Sequence, residues 1–208
     1  MIQPTSQTDR FKQQLHDSLR HETQHSRAVT IAKNAHVYTC GDQDETVYFI
    51  ESGQVKLLML SPAGKECLLS IHIAGDIFGE MSLSDHGSRL DTAVTMEETN
   101  LKQIPAAKFF TRLSGDGLLE GFVQYLAVRV ADQQQVIANL VTINSEQRLG
   151  KTLLQLARKL GKRDPRSMRI EQKISHEELS EMVGTTRPRI SEFMQRFRHL
   201  GLIETTVE

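Results

Sequence analysis

The apolar residues of this 208-residue chain follow different spacings in different regions. Between residues 27 and 112, short β-favouring runs such as TVYFIES and ECLLSIHI alternate with turn-forming pairs such as Ser52-Gly53 and Gly75-Asp76. Many short strands with a turn about every 8–12 residues are typical of antiparallel sandwiches and barrels. This pattern predicts an antiparallel β-domain over residues 27–112.

Residues 1–26 precede this domain and are polar, with several glutamines and histidines. A weak helical pattern runs from Phe11 to Leu19, but its apolar residues are few. Chain ends of this composition are usually solvated and frayed. We therefore interpret residues 1–26 as a polar, solvated lead-in to the β-domain.

A helical spacing replaces the strand pattern over residues 113–144. Six apolar residues recur at intervals of four and three, as in the seam of a coiled coil: Leu119, Val123, Leu126, Val130, Ile137 and Leu140. Gln133 interrupts this seam. We expect one long helix that pairs with the same helix of a second copy. The alternative is that the seam packs against the chain's own β-domain, and the two arrangements are compatible.

The C-terminal region, residues 145–208, contains an amphipathic helix, a link with glycine and proline, and two short helices joined by a turn. Ser175 and Glu178 form the S-x-x-E capping box that begins a helix. Gly184 stands where this helix must end, because glycine adopts the positive φ that the turn requires. Thr186, or the threonine before it, can cap the second helix.

The two short helices are amphipathic. Apolar side chains at helical spacing predict their buried faces: Leu179, Met182, Val183, Ile190, Phe193, Met194 and Phe197. Basic and polar side chains are left on the outer face of the second helix. This is the pattern of a helix-turn-helix whose second helix enters the major groove of DNA. The alternative is a helical hairpin with a solvated basic face.

Charge is unevenly distributed, although the whole chain carries a net charge of −1. Residues 145–208 contain 13 Lys and Arg against 9 Asp and Glu, a net charge of +4, so the other residues sum to −5. A basic C-terminal region on an acidic body is typical of a modular DNA-binding protein. No apolar run approaches the roughly 18 residues that a membrane-spanning helix requires, and no signal peptide opens the chain. We expect a cytoplasmic protein.

The sequence contains two cysteines, Cys40 and Cys67. Two cysteines are too few for a four-cysteine cluster or a zinc finger. We therefore expect two reduced thiols, and the sequence predicts no metal site.

Five segments in this order resemble the Crp/Fnr family of bacterial transcription regulators, from about Val29 to Glu204: GDQDETVYFIESGQVKL (41–57), SPAGKE (61–66), AGDIFGEMSL (74–83), INSEQRLGKTLLQLA (143–157) and HEELSEMVGTTRPRISEFMQRFRHLGLIE (176–204). The resemblance implies an α+β fold with an N-terminal antiparallel β-roll, which is a jelly roll of the cyclic nucleotide-binding type. A long dimerisation helix and a C-terminal winged helix-turn-helix follow. The sequence ends soon after the second short helix, so we expect a shortened wing.

The resemblance also implies a function. It predicts a homodimer, not an enzyme, that binds a two-fold-symmetric site on double-stranded DNA and contacts RNA polymerase. An effector would be sensed in the β-roll.

Family members that bind cyclic AMP hold it with a Gly-Glu pair, an arginine followed by a hydroxyl residue, and a hydroxyl pair on the long helix. The resemblance carries over to these pocket positions: Gly79, Glu80, Arg89, Thr92, Gln133 and Gln134. Asp91 stands where the arginine is expected, and a carboxylate there would repel a phosphate. Arg89 either reaches the pocket from a shifted loop or is a solvated turn residue. A cyclic nucleotide is therefore a candidate effector, but the carboxylate of Asp91 argues against it.

Other effectors of this family have their own residue requirements. An iron–sulfur cluster needs four cysteines, so the two present argue against it. Haem needs an axial ligand, for which His36, His72 and His86 are candidates, although a strand-packed or exposed histidine is the commoner role. Thiol sensing needs a basic setting that neither cysteine has in the sequence.

The second short helix supplies the candidate DNA contacts. The resemblance predicts that four of its residues read base edges: Arg187, Arg189, Ser191 and Glu192. Four other residues are placed for backbone phosphates: Lys173, Thr185, Thr186 and Arg196.

Two other functions are alternatives to a regulator. One is a ligand-binding module whose helix-turn-helix has no direct role on DNA. The other is a cupin-type metalloenzyme with His72, Glu80 and His86 as metal ligands, although the close H-x-H pair of cupins is missing.

Overall fold

The computed structural model describes residues 7–20, 26–61, 66–84, 88–164 and 166–205. The chain forms two compact units. The N-terminal unit contains residues up to 133 apart from 66–68, and the C-terminal unit contains residues 66–68 and 134 onward.

Two four-stranded sheets form the β-roll of the N-terminal unit. Their strand orders are β1-β8-β3-β6 and β2-β7-β4-β5. The strands are β1 (Arg27–Ile31), β2 (His36–Tyr38), β3 (Thr46–Ser52), β4 (Gln54–Leu60), β5 (Glu66–Ile73), β6 (Ile77–Phe78), β7 (Thr92–Thr95) and β8 (Thr99–Pro105). In the first sheet, β8 pairs antiparallel with both β1 and β3. The predicted antiparallel β-domain is thereby confirmed.

An apolar core holds the roll together. Side chains from both sheets bury one another there: Tyr38, Tyr48, Ile50, Val55, Leu57, Phe78, Ala93 and Leu101. The rings of Tyr48 and Phe78 stack with their centres 5.0 Å apart. The core therefore packs against β3 and its neighbouring strand β6, after which the candidate pocket begins.

Helix α1 (Gln7–Arg20) covers one side of the roll. Its residues Phe11, Leu15 and Leu19 are at most 1% exposed and pack with apolar residues of the strands and of the helices that follow the roll. The interpretation of residues 1–26 as a solvated lead-in is therefore wrong for the described part of this segment. Three apolar residues at intervals of four bury a complete helical stripe, although the polar residues between them keep the mean hydropathy low.

Polar contacts also join α1 to the roll and to the helix that follows it. The Lys12 ammonium lies 2.5 Å from Asp76 Oδ1, and Arg112 donates to the backbone oxygen of Ser18 at 2.9 Å. The Lys102 ammonium donates to the backbone oxygen of Leu19 at the last turn of α1. The helix is thus bound to the roll along its length.

Two helices, α2 (Ala106–Gly115) and α3 (Leu119–Thr142), follow the roll. The prediction of one continuous helix over residues 113–144 is wrong at its start, because a turn with Gly117 at φ 66° separates α2 from α3. Phe122 and Tyr125 of α3 are buried in the core beneath α1. Gly121 allows this close approach, because a Cβ there would lie 2.9 Å from the Phe11 ring.

The predicted seam residues lie on α3 in two environments. Leu126 is half-buried against the core of the N-terminal unit. The other five are exposed in the single chain: Leu119, Val123, Val130, Ile137 and Leu140. Pairing through this seam stays a prediction.

The C-terminal unit contains α4 (Ser145–Leu160), a hairpin of β9 (Gly161–Arg163) and β10 (Met168–Ile170), and the helices α5 (His176–Val183) and α6 (Arg187–His199). The segment predicted as a link thus contains an antiparallel hairpin. No strand follows α6 in the part described, which ends at residue 205. No described helix is both long and apolar enough to cross a membrane.

We expect Leu15→Ala to lower the free energy of unfolding of the N-terminal unit by about 2–5 kcal/mol, since it leaves a cavity in the core. Urea unfolding followed by tyrosine fluorescence measures this unit, because all three tyrosines lie in it and the chain has no tryptophan. The exposed neighbour Gln14 supplies the control, Gln14→Ala. Equal, small effects of the two substitutions would contradict the docking of α1.

Candidate nucleic-acid interface and ligand pocket

Helix α5 begins and ends as its sequence predicts. The Ser175 hydroxyl accepts a hydrogen bond from Glu178 N at 3.1 Å, and the Glu178 carboxylate accepts one from Ser175 N at 2.9 Å, so the capping box is confirmed. Gly184 ends the helix at φ 68°, and its N–H donates to Ser180 O. A Cβ at this position would be strained.

Helix α6 follows after a three-residue turn, 184–186. Thr186 is its N-cap residue, without a side-chain capping bond, and Pro188 lies in the first turn where its missing N–H costs little. Ile190 and Met194 are buried, and α6 contacts both α4 and α5. Packing therefore uses one face of α6 and leaves the other in solvent.

Arg148 of α4 holds the turn between the two helices in place. Its guanidinium donates to the backbone oxygens of Ile143 and Val183, each at 2.9 Å, and of Gly184 at 3.3 Å. A cation at the C-terminus of α5 also interacts favourably with the helix dipole. The sequence gives no signal for this role, because it depends on carbonyls about 35 residues away.

The solvent face of α6 carries all four predicted base readers: Arg187, Arg189, Ser191 and Glu192. Arg187 and Arg189 form no hydrogen bond or ion pair with any described residue. Ser191 differs, because its hydroxyl lies 2.8 Å from His176 Nδ1 on α5. Two arginine side chains are thus available for an outside partner.

The predicted phosphate contacts are less uniform. Lys173 and Thr186 are exposed, and Thr185 is half-buried at the turn. Arg196 is exposed but lies 3.3 Å from the Glu146 carboxylate. Arg196 would have to exchange this partner for a phosphate.

In the β-roll, Arg89 lies against Gly79 of the predicted pocket. It is 3% exposed, so its interpretation as a solvated turn residue is wrong. Its guanidinium donates to Gly79 O at 2.8 Å, to Thr46 O at 2.6 Å and to the Asp44 carboxylate at 2.6 Å. It also lies over the Tyr38 ring, 4.1 Å from the ring centre. The sequence could not reveal this arrangement, because Asp44 is 45 positions away.

Glu80 is paired with a cation of α3. Its Oε1 atom lies 2.7 Å from Arg129 Nη1, while Oε2 is buried and has no hydrogen-bond partner among the described residues. Burial by itself lowers the pKa of Arg129, but the Glu80 carboxylate more than offsets this and the pKa is raised. The ion pair links the 3₁₀ turn Glu80–Leu83 to α3.

Asp91 is a second buried carboxylate near this pair. Burial raises its pKa, the charge of Glu80 adds to the rise, and the hydrogen bond from Tyr38 opposes it. The Tyr38 hydroxyl donates to Asp91 Oδ1 at 2.8 Å, and burial with this nearby charge raises the pKa of Tyr38 strongly. The region thus contains Arg89 and Arg129 together with three carboxylates, those of Asp44, Glu80 and Asp91.

The remaining pocket positions are arranged differently. Thr92 is buried, and its hydroxyl accepts a hydrogen bond from Cys40 N at 3.0 Å. Gln133 and Gln134 are exposed on α3. The structure thus does not show these glutamines reaching the Arg89 and Glu80 contacts.

The candidate haem, thiol and metal ligands are scattered. His36 is exposed, His72 is buried with Nε2 2.9 Å from the Ser70 hydroxyl, and His86 lies outside the described residues. Cys40 and Cys67 are exposed free thiols. Of the cupin-type set, Glu80 is held by Arg129.

Two family models match the chain: the cyclic nucleotide-binding domain over residues 28–116 and the Crp-like helix-turn-helix domain over residues 147–208. A CRP-like cAMP-activated global transcriptional regulator of Mycobacterium tuberculosis is 28% identical over 182 residues, or 87% of this chain and 81% of that protein.

Solved structures agree with these matches. A mutant of CooA from Carboxydothermus hydrogenoformans is 25% identical, with a TM-score of 0.76 over 92% of this chain and 87% of that one. A CRP-family transcriptional regulator from Thermus thermophilus is 27% identical, with a TM-score of 0.71 over 86% of this chain and 88% of that one.

We expect Arg129→Met to destabilise the N-terminal unit by about 2–4 kcal/mol, because it leaves the Glu80 carboxylate buried without its cation. The double variant Glu80→Gln/Arg129→Met should regain most of this loss. Tyrosine-monitored urea unfolding measures both, with Lys108→Met, which removes an exposed cation of α2, as the control. A double variant no more stable than Arg129→Met would argue against the ion pair as the cause.

Proposed function

Because the chain belongs to the Crp/Fnr family of transcription regulators, we propose that it acts as a homodimer which places α6 of each copy in successive major grooves of a two-fold-symmetric DNA site. One observation carries this proposal. Helix α6 buries Ile190 and Met194 on one face and leaves Arg187 and Arg189 exposed and unpaired on the other. In a helix-turn-helix, that is the face that meets base edges.

The base contacts follow from side-chain chemistry. Arg187 and Arg189 lie in the first turn of α6, and a guanidinium fork matches the O6 and N7 atoms of guanine. Glu192, one turn later, can accept from the amino group of cytosine. The half-site should therefore contain guanine opposite the first turn of α6.

Lys173, Thr185 and Thr186 supply the backbone contacts in this arrangement. Lys173 is an exposed cation just before α5, and the two threonines precede α6. Phosphate contacts of this kind fix the position of the protein on DNA without reading sequence. Arg196 contributes only after leaving Glu146.

The exposed apolar residues of α3 support the dimer. Val123, Val130 and Ile137 are each more than half exposed in the single chain and recur at intervals of seven. A stripe of this spacing is buried when two such helices pair. Pairing of α3 would also give the protein the two-fold axis that a symmetric DNA site requires.

The β-roll is proposed to work without a cyclic nucleotide phosphate, unlike that of the cAMP-activated relative. Arg89 is already engaged by three oxygens, and Glu80 is engaged by Arg129. An entering phosphate would find neither arginine free and would approach the buried carboxyl of Asp91. In this proposal, the internal contacts of these side chains replace those that a nucleotide would make.

The DNA assignments predict different losses for two substitutions. Arg187→Ala should cost about 1–3 kcal/mol on the best site and relax specificity at one base pair. Lys173→Ala should weaken all sequences alike and reduce the slope of log affinity against log salt by about one. Fluorescence anisotropy with specific and random duplexes measures both. Equal losses of Arg187→Ala on the two duplexes would refute its role as a base reader.

The effector assignment predicts that cyclic AMP has no effect. Genomic fragments captured on the purified protein should yield the same two-fold-symmetric site with and without cyclic AMP. Calorimetric titration of the protein with cyclic AMP should likewise give no saturable heat. A site recovered only with the nucleotide would show that Arg89 exchanges Asp44 for the phosphate and would overturn the assignment.

A further inference from the structure

One contact joins α5 to the DNA-facing side of α6. His176 is the first residue of α5, and its Nδ1 atom lies 2.8 Å from the Ser191 hydroxyl oxygen. Among the described residues, neither side chain makes another hydrogen bond. His176 Nε2 therefore has no partner among them. The contact thus connects a predicted base reader to a side chain outside the predicted set.

The chemistry of the two groups limits what Ser191 can offer to a base. A serine hydroxyl has one proton to donate and lone pairs to accept with. If His176 Nδ1 accepts that proton, only the lone pairs are left for the major groove. If Nδ1 carries a proton and donates it, the serine proton is free instead. The proton on the imidazole therefore decides which base edges Ser191 can bind.

For a neutral His176, DNA itself sets the position of that proton. The first helix of a helix-turn-helix crosses the DNA backbone, and His176 lies at the start of that helix. Phosphate oxygens only accept hydrogen bonds, so a ring nitrogen facing them carries the proton. In a neutral imidazole, the hydrogen bond of one nitrogen fixes the state of the other. A proton on Nε2 leaves Nδ1 as the acceptor for Ser191.

We propose that His176 links a backbone phosphate to Ser191 and thereby makes Ser191 a hydrogen-bond acceptor in the major groove. Ser191 then selects a base that presents an amino group, adenine or cytosine, at one position of the half-site. His176 is a positioning residue in this arrangement and touches no base. The inference rests on the proposed function, since it requires α6 in the major groove.

Selection from a duplex pool randomised over two half-sites tests the proposal with the full chain. The wild-type protein should favour adenine or cytosine over guanine or thymine at one position by about five-fold, as one neutral hydrogen bond allows. Both His176→Phe and Ser191→Ala should lose this preference. The double variant should match Ser191→Ala, because the histidine acts only through the serine. His199→Phe, at the exposed C-terminal end of α6, is the matched control and should keep it.

The outcomes separate this inference from the proposed function. Retention of the preference in His176→Phe, or a wild-type preference for guanine or thymine, would overturn the link through His176. An unchanged site with Ser191→Ala would overturn it as well, while leaving Arg187 as a reader. No enriched site for the wild-type protein would contradict the proposed function itself. Thermal unfolding checks that each variant is folded, and His176→Ala replaces the phenylalanine variant if that one is not.

Discussion

Burial of the Arg89 guanidinium is the constraint on which the β-roll depends. A buried cation is costly unless oxygen atoms surround it, and two segments of the chain supply three of them, through Asp44 and Thr46 and through Gly79. The Tyr38 ring covers one face of the guanidinium. These contacts fix the turn that begins the 3₁₀ segment, and that turn presents Glu80 to Arg129 of α3. The buried Arg89, the half-buried Arg129 and their carboxylates therefore connect the interior of the roll to the helix that leaves it.

In the C-terminal unit, by contrast, one arginine has internal partners and the arginines proposed to read DNA have none among the described residues. Its structural cation, Arg148, donates to the backbone oxygens of Val183 and Gly184 at the turn between α5 and α6. Arg187 and Arg189 have no hydrogen-bond or ion-pair partner among the residues that the structure describes. The backbone of α6 is thus held in place from behind, while the side chains proposed to read bases stay available to a partner.

Sequence patterns predicted those parts of the molecule that depend on neighbouring residues. Alternating apolar runs predicted the β-roll, and Ser175, Glu178 and Gly184 predicted the bounds of α5, because capping and turns are local. The interpretation of α1 was wrong, because its three buried residues pack against strands of the roll and against α2, which lie far from α1 in the sequence. The contacts of Arg89 with Asp44, and of His176 with Ser191, join residues far apart in the chain. No spacing rule connects such pairs, so the pocket interior could not be predicted from the sequence.

The buried charges also limit how this β-roll can evolve. An arginine introduced at position 91 would replace a carboxyl group close to Arg89 and Arg129 and would add a third cation where Asp91 now stands. Removing Asp44 first would leave Arg89 without its carboxylate. Either substitution alone therefore lowers the stability of the roll. The charges balance again only when both substitutions are present and an anion is bound. Such non-additivity is epistasis, and the order of mutations decides whether a folded intermediate exists.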